Sequence, residues 1–181
     1  MELEIFELIA KGGKGGLAEF LIFKSDLEVR NSEYLTPLQY AIRCANTEAV
    51  EILLVRGAQI HSAGIIDLLV SFITDDTEYR LVNAMPPPRE IEATVKFPIN
   101  ILNLLINSGF NINEPGENGD TLLIEACLGS NLALVRKLIE LGADPNIINH
   151  DGQYALITAE HDSDIYEYLY PVTNLALRSL T

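Results

Sequence analysis

Apolar residues recur along this chain in short helical stripes, each closed at a fixed offset by a glycine. Val50, Leu53 and Leu54 precede Gly57, and Val135, Leu138 and Ile139 stand at the same offsets from Gly142. A further copy is Leu102, Leu105 and Ile106 before Gly109. A weaker one is Leu17, Phe20 and Leu21, with Lys24 in the glycine's place. The i, i+3, i+4 spacing predicts helices with one buried face. The outer pairs of copies are each 33 residues apart; the middle step is 52, which is 33 plus an insertion of 19. Repetition on that scale predicts a row of like modules, since one helix pair cannot hide its own apolar stripe and a neighbour must cover it.

Each module has a readable start and stop. Thr36-Pro37-Leu38 opens a first helix, with Thr36 as N-cap and Pro37 in the first turn, and Thr121-Leu122-Leu123 is the equivalent start. Ala41 and Ala126 are small enough to let neighbouring helices approach closely. A tight turn and the striped second helix follow, and Gly57 or Gly142 supplies the left-handed C-terminal cap. Asn118-Gly119-Asp120 and Asp151-Gly152-Gln153, 33 residues apart, predict hairpin turns between modules.

Thr36-Pro37-Leu38-Gln39-Tyr40-Ala41 through Gly57-Ala58, and Asn118-Gly119-Asp120-Thr121-Leu122-Leu123 through Gly142-Ala143-Asp144-Pro145-Asn146, resemble ankyrin repeats. The resemblance implies an all-α fold: one ankyrin-repeat solenoid over residues 1–181, of about five helix-turn-helix units with short hairpin connections and degenerate end caps. The units are expected at about 1–32, 33–63, 64–117, 118–150 and 151–181. Gln39 and Ile124 replace the histidine usual in the family's opening tetrad, so its hydroxyl–imidazole bond is absent. The last unit opens on Tyr154-Ala155-Leu156 and carries Pro171 inside its expected second helix, which predicts an irregular cap. In the third unit Gly64 to Asp76 is expected to hold the first helix, with Ile65, Ile66, Leu68, Leu69, Phe72 and Ile73 largely inside. The insertion follows at 77–97, where Met85-Pro86-Pro87-Pro88 has no helix option, and Pro98 restarts a helix.

Composition narrows the partners. The chain carries 12 basic and 26 acidic residues, a formal charge of −14. Phosphates would meet a like-signed surface, so neither nucleic acid nor an anionic membrane is an expected partner. A basic protein is electrostatically favoured. The N-terminus has acids where a secretory signal needs bases. No apolar run approaches the roughly 20 residues that span a bilayer. Cys44 and Cys127 are too few for a disulfide framework or a four-thiolate zinc site. The expectation is a cytoplasmic protein in a reducing compartment, monomeric when free.

Little in the sequence points to catalysis. Nothing in the spacing sets a base beside either cysteine, and both fit small interior gaps. His61 and His150 fall near hairpins and predict surface rather than metal ligands. Gly12-Gly13-Lys14-Gly15-Gly16 lacks the spacing and the hydroxyl of a phosphate loop and fits the turn inside the first unit. Asp75-Asp76-Thr77-Glu78 and Asp162-Ser163-Asp164 do not follow a calcium-loop template. No catalytic residue, cofactor or metal is expected.

Charge distribution carries more. From Asn111 to Tyr170 there are 11 acids and two bases, a net of −9; residues 1–110 hold 15 acids and nine bases, a net of −6. Glu114, Glu117, Asp120 and Asp151 fall at hairpins, and Glu125, Glu160 and Asp162 on or near first helices. The resemblance implies that hairpins and first helices line one concave side, where these acids would form a negative groove for a basic protein; the alternative is that they serve only general solubility. Tyr34, Tyr40, Gln153 and Tyr154 are candidate anchors near the same elements; Tyr40 and Tyr154 also fit partial burial. The resemblance thus implies a non-catalytic protein-binding module. It extends to solitary bacterial ankyrin proteins, some of which are immunity proteins that occlude a toxin's active site. The alternatives are a signalling or host-interaction scaffold, and an enzyme or ligand sensor with a pocket roofed by the 77–97 insertion.

Overall fold

The computed structural model describes residues 2–12, 14–22, 26–73, 98–116, 118–159 and 163–178. The described residues form helices and turns, with no strand among them. They divide into two compact units, Met1–Phe72 with Asp76–Phe110, and Ile73–Asp75 with Asn111–Thr181.

The first unit holds α1 (Glu2–Lys11), α2 (Lys14–Phe20), α3 (Pro37–Arg43), α4 (Thr47–Val55), α5 (Ser62–Val70) and α6 (Ile99–Asn107). Two rows result: α3 packs between α1 and α5, and α4 between α2 and α6. Ala41, Ile42, Val50, Leu53, Ile65, Ile66, Leu69, Ile101, Leu102 and Leu105 are fully buried, while Leu54 and Ile106 of the expected stripes are only half-buried. Leu68, Phe72 and Ile73 are only half-buried. The second unit holds α7 (Leu122–Leu128), α8 (Leu132–Glu140), α9 (Ala155–Thr158), α10 (Ser163–Leu169) and α11 (Leu175–Arg178). There α7 packs on α8 and α9, and α10 on α8 and α9. The 77–97 insertion and Lys24 lie outside the described residues.

The caps explain the boundaries. Thr36 accepts from the Gln39 amide, and the Gln39 side chain accepts from the Thr36 amide, a reciprocal capping box. Gln39 thus uses its amide where the family's histidine is missing. Thr121 caps α7 through the Ile124 amide alone. Gly57, Gly109 and Gly142 close α4, α6 and α8 at φ 87°, 100° and 94°. Beyond each, the next amide bonds back to Leu53, Leu105 or Leu138 across 2.9–3.0 Å, the Schellman pattern. Between α3 and α4, and between α7 and α8, the turn also passes through a left-handed residue, Ala45 and Ser130 respectively, both at φ 50°. Asn46 and Asn131 follow and cap the second helix.

Side chains also tie one repeat to the next. Asn113 Oδ1 accepts from the Asp144 amide at 2.8 Å, and Asn146 Oδ1 from the Asn174 amide at 2.6 Å. In the first unit the equivalent position is Glu28, which accepts from the Gln59 amide at 3.1 Å and meets His61 Nε2 at 2.8 Å. Arg56 reaches back to the Leu21 carbonyl at 2.8 Å and closes the end of α2, where the sequence has lysine instead of glycine.

The last repeat departs from its siblings as its sequence predicts. Tyr154 takes the N-cap position of α9, which Thr36 and Thr121 fill elsewhere, and makes no side-chain cap; α9 is one turn long. α10 stops before Pro171. Arg178 then donates to the Thr173 and Pro171 carbonyls and lies over the Tyr170 ring.

Candidate functional site

Three turns share one construction. In each, the first residue's amide bonds to the fifth residue's carbonyl: Asn31 to Leu35 at 3.1 Å, Gly116 to Asp120 at 2.9 Å, Asn149 to Gln153 at 2.8 Å. The fourth residue donates back to the first carbonyl and sits in the left-handed region. It is Gly119 at φ 82° and Gly152 at φ 79°, but Tyr34 at φ 61°. The Asn31 and Asn149 side chains brace their turns by accepting two backbone amides each.

In the first unit Tyr34 stands in water, 78% exposed. Tyr40 is half-buried on α3, edge-on to Phe6 at 5.4 Å, with the Arg43 guanidinium over its ring at 5.0 Å. Arg43 is ion-paired with Glu33. Burial pushes the Cys44 thiol beside Tyr40 up, with Arg43 and a Tyr40 hydrogen bond opposing. A half-buried thiol whose pKa is raised stays protonated and is a weak nucleophile.

In the second unit Asn149 links two of the acid-bearing turns, bonding the Asp120 carboxylate and the Asp151 amide. Its Nδ2 donates to Asp120 Oδ1 at 2.6 Å. Glu125, half-buried on the first turn of α7, has its carboxyl held above the ordinary value by burial and then by the Asp120 carboxylate. Glu114 accepts a long bond from Asn111 Nδ2, and Asp151 and Gln153 are exposed on the 149–153 turn. Among the described residues no ion pair joins Glu114, Asp120, Glu125 or Asp151 to a cation. Glu117, Glu160 and Asp162 lie outside the described residues, as does His161.

Tyr154 is a correction. It is 2% exposed, and its hydroxyl donates to the Leu177 carbonyl at 2.7 Å. Its ring fills the last repeat's core and leaves no anchor surface. Among the described residues no group of three or more His, Cys, Asp or Glu could hold a metal ion, and no helix is long and apolar enough to cross a membrane. His150 is exposed and His61 is engaged by Glu28. Sequence reasoning missed the Asn149 brace; the visible signal was an asparagine two residues before Asp151-Gly152.

Comparison with known proteins agrees with this geometry. A family model described as ankyrin repeats (3 copies) matches residues 92–176, and a single ankyrin-repeat model matches residues 33–70. The chain is 33% identical over 134 residues to the mouse B-cell lymphoma 3 protein homolog, covering 74% of this chain and 26% of that one. It is 38% identical over 71 residues to a putative ankyrin repeat protein of Borreliella burgdorferi, 39% of this chain and 17% of that one. These matches therefore span about a quarter or less of either relative. A zebrafish Notch-regulated ankyrin repeat-containing protein B is 35% identical over 74 residues, 41% of this chain and 67% of its own length. Among solved structures, an ankyrin repeat domain from Acinetobacter baumannii superposes with a TM-score of 0.69 at 20% identity, over 95% of this chain and 80% of its own.

Proposed function

We propose a protein-docking role for this chain, which belongs to the ankyrin-repeat family: a non-catalytic module that holds a basic protein against the acids of its second unit. Ankyrin repeats generally mediate protein–protein interaction, so the class of activity follows from the family; the sign of the partner is the finer step. The observation that carries it is the Asp120–Glu125 pair. Glu125 is half-buried beside a second carboxylate, and among the described residues no cation pairs with it. Two such carboxylates repel, and a partner's ammonium or guanidinium between them relieves both the repulsion and the desolvation. Glu114 and Asp151 extend the same charge. Blocking a basic toxin, as an immunity protein does, is one form of such docking; a signalling or host-interaction scaffold is the alternative.

The test is affinity capture from the native lysate on the immobilised chain at low salt, repeated with Glu114, Glu117, Asp120 and Glu125 neutralised together. The expected result is a basic protein whose association slows as salt rises and which the fourfold variant fails to retain. Retention of no basic protein at low salt removes the proposal. A partner held equally by the fourfold variant points instead to a scaffold whose charge is incidental.

A further inference from the structure

Tyr34 breaks a local rule that its two sibling turns obey. At the same position, with the same pair of backbone bonds, they carry glycine. A β-carbon at positive φ is strained, and bulky side chains rarely adopt that conformation. Ala45 and Ser130 are also left-handed, but they match each other, are small, and lead into capping asparagines. Tyr34 has no such structural role: its ring is exposed, and no ring contact or side-chain hydrogen bond of Tyr34 occurs among the described residues. A second departure accompanies the first. Arg30 Nη1 donates to the Tyr34 carbonyl at 2.7 Å. The residues equivalent to Arg30 before the other turns are Pro115 and Ile148, which have no side chain able to do this. The turn is therefore fastened where it is strained.

We infer that Tyr34 is a specificity-determining contact, held out in water by a turn that gives up stability to present it, and that its ring face takes an arginine or lysine of a short basic segment of the partner. An exposed aromatic face attracts a cation and buries the apolar side of a guanidinium. The chain's net charge of −14 brings such a segment close. Arg30 is a positioning residue: it fixes the peptide that aims the ring. The inference rests on the basic-partner reading above and adds a contact, in the first unit, that the acids of the second do not supply.

The test uses the full chain and a displayed library of random linear peptides. Denaturation is measured first: Tyr34→Gly and Tyr34→Asn are expected to raise the midpoint, because both residues tolerate a left-handed backbone. An unchanged or lower midpoint in both variants shows no strain and overturns the inference. Peptides selected on the wild-type chain are then measured on Y34G, on R30Q and on a chain with Asp120 and Glu125 neutralised. The expected result is a pool rich in arginine or lysine that loses at least about tenfold in affinity on Y34G, with a smaller loss on R30Q. A pool that depends on Asp120 and Glu125 but binds Y34G unchanged overturns the inference and leaves the basic-partner reading standing. A pool insensitive to all three variants, or an empty selection, overturns both.

Discussion

Asn149 and Asp120 are joined across 2.6 Å, the amide Nδ2 of one turn donating to the carboxylate of the preceding turn. The same Asn149 accepts the Asp151 and Gln153 amides, so one buried side chain shapes its own turn and fixes the acid beside it. Asn149→Ala is expected to destabilise the chain by about 2–3 kcal/mol, since two amides and a carboxylate lose a partner. Asn149→Asp keeps the acceptor oxygen but sets a second carboxylate against Asp120. Its loss should be larger at neutral pH than in acid, where protonation restores a donor. Denaturant titrations at two pH values check this, and equal losses at both refute it.

Glu125 makes stability fall with pH over a defined window. Its carboxyl is held above the ordinary glutamate value of 4.5 by burial and then by Asp120. The folded chain therefore binds more protons than the unfolded one just above that value, and the contribution is lost as pH rises through the folded-state pKa. Glu125→Gln is expected to match the wild type below pH 4.5 and to exceed it above. Parallel stability curves would show that the burial has no effect. A bound cation favours the ionised form, so partner affinity should rise over the same window.

Two glycines of the same backbone class should respond differently to alanine. At Gly152 a new β-carbon meets nothing within 4 Å, so Gly152→Ala carries only the left-handed strain, about 1–2 kcal/mol. At Gly119 it would lie 2.8 Å from the His150 amide nitrogen and from the imidazole Cδ2. Overpacking against backbone adds about 1–3 kcal/mol. Thermal or denaturant midpoints that do not separate the two variants in this order would contradict the turn geometry.

Arg56 closes α2 from outside that helix. Arg56→Ala removes charge-assisted bonds to the Leu21 and Ala18 carbonyls and should cost about 1–2 kcal/mol, partly screened at this exposed site. Hydrogen exchange should speed up in α2 before α4. Uniform change along the chain would mean that the arginine is incidental.

The repeat was legible because it rests on local rules. Thr36, Thr121, Gly57, Gly109 and Gly142 sit where a helix needs an oxygen at its start or a left-handed residue at its end, and those needs show in one dimension. Pro171 likewise marked the end of α10. What stayed hidden depends on partners far along the chain or on residues that defy propensity. Ala45 and Ser130 adopt positive φ without being glycine, so nothing local announced them. Tyr154 carries the same polar hydroxyl whether it faces a partner or a carbonyl 23 residues away, and only packing decides which. The acids split in the same way: their sign was plain from composition, whereas the closeness of Asp120 to Glu125 required the fold.

The joints made by Glu28, Asn113 and Asn146 bear on how such a chain can be rebuilt. Asn113 and Asn146 use a neutral carboxamide to grip a backbone amide, a coupling indifferent to the side chain it meets, so modules joined this way are interchangeable in principle. Glu28 adds a grip on His61, and that joint is keyed: a module transplanted behind it without a histidine leaves a carboxylate oxygen without its nitrogen. Shuffling repeats between natural or designed arrays should therefore succeed at the asparagine seams and require a matched pair at the glutamate one.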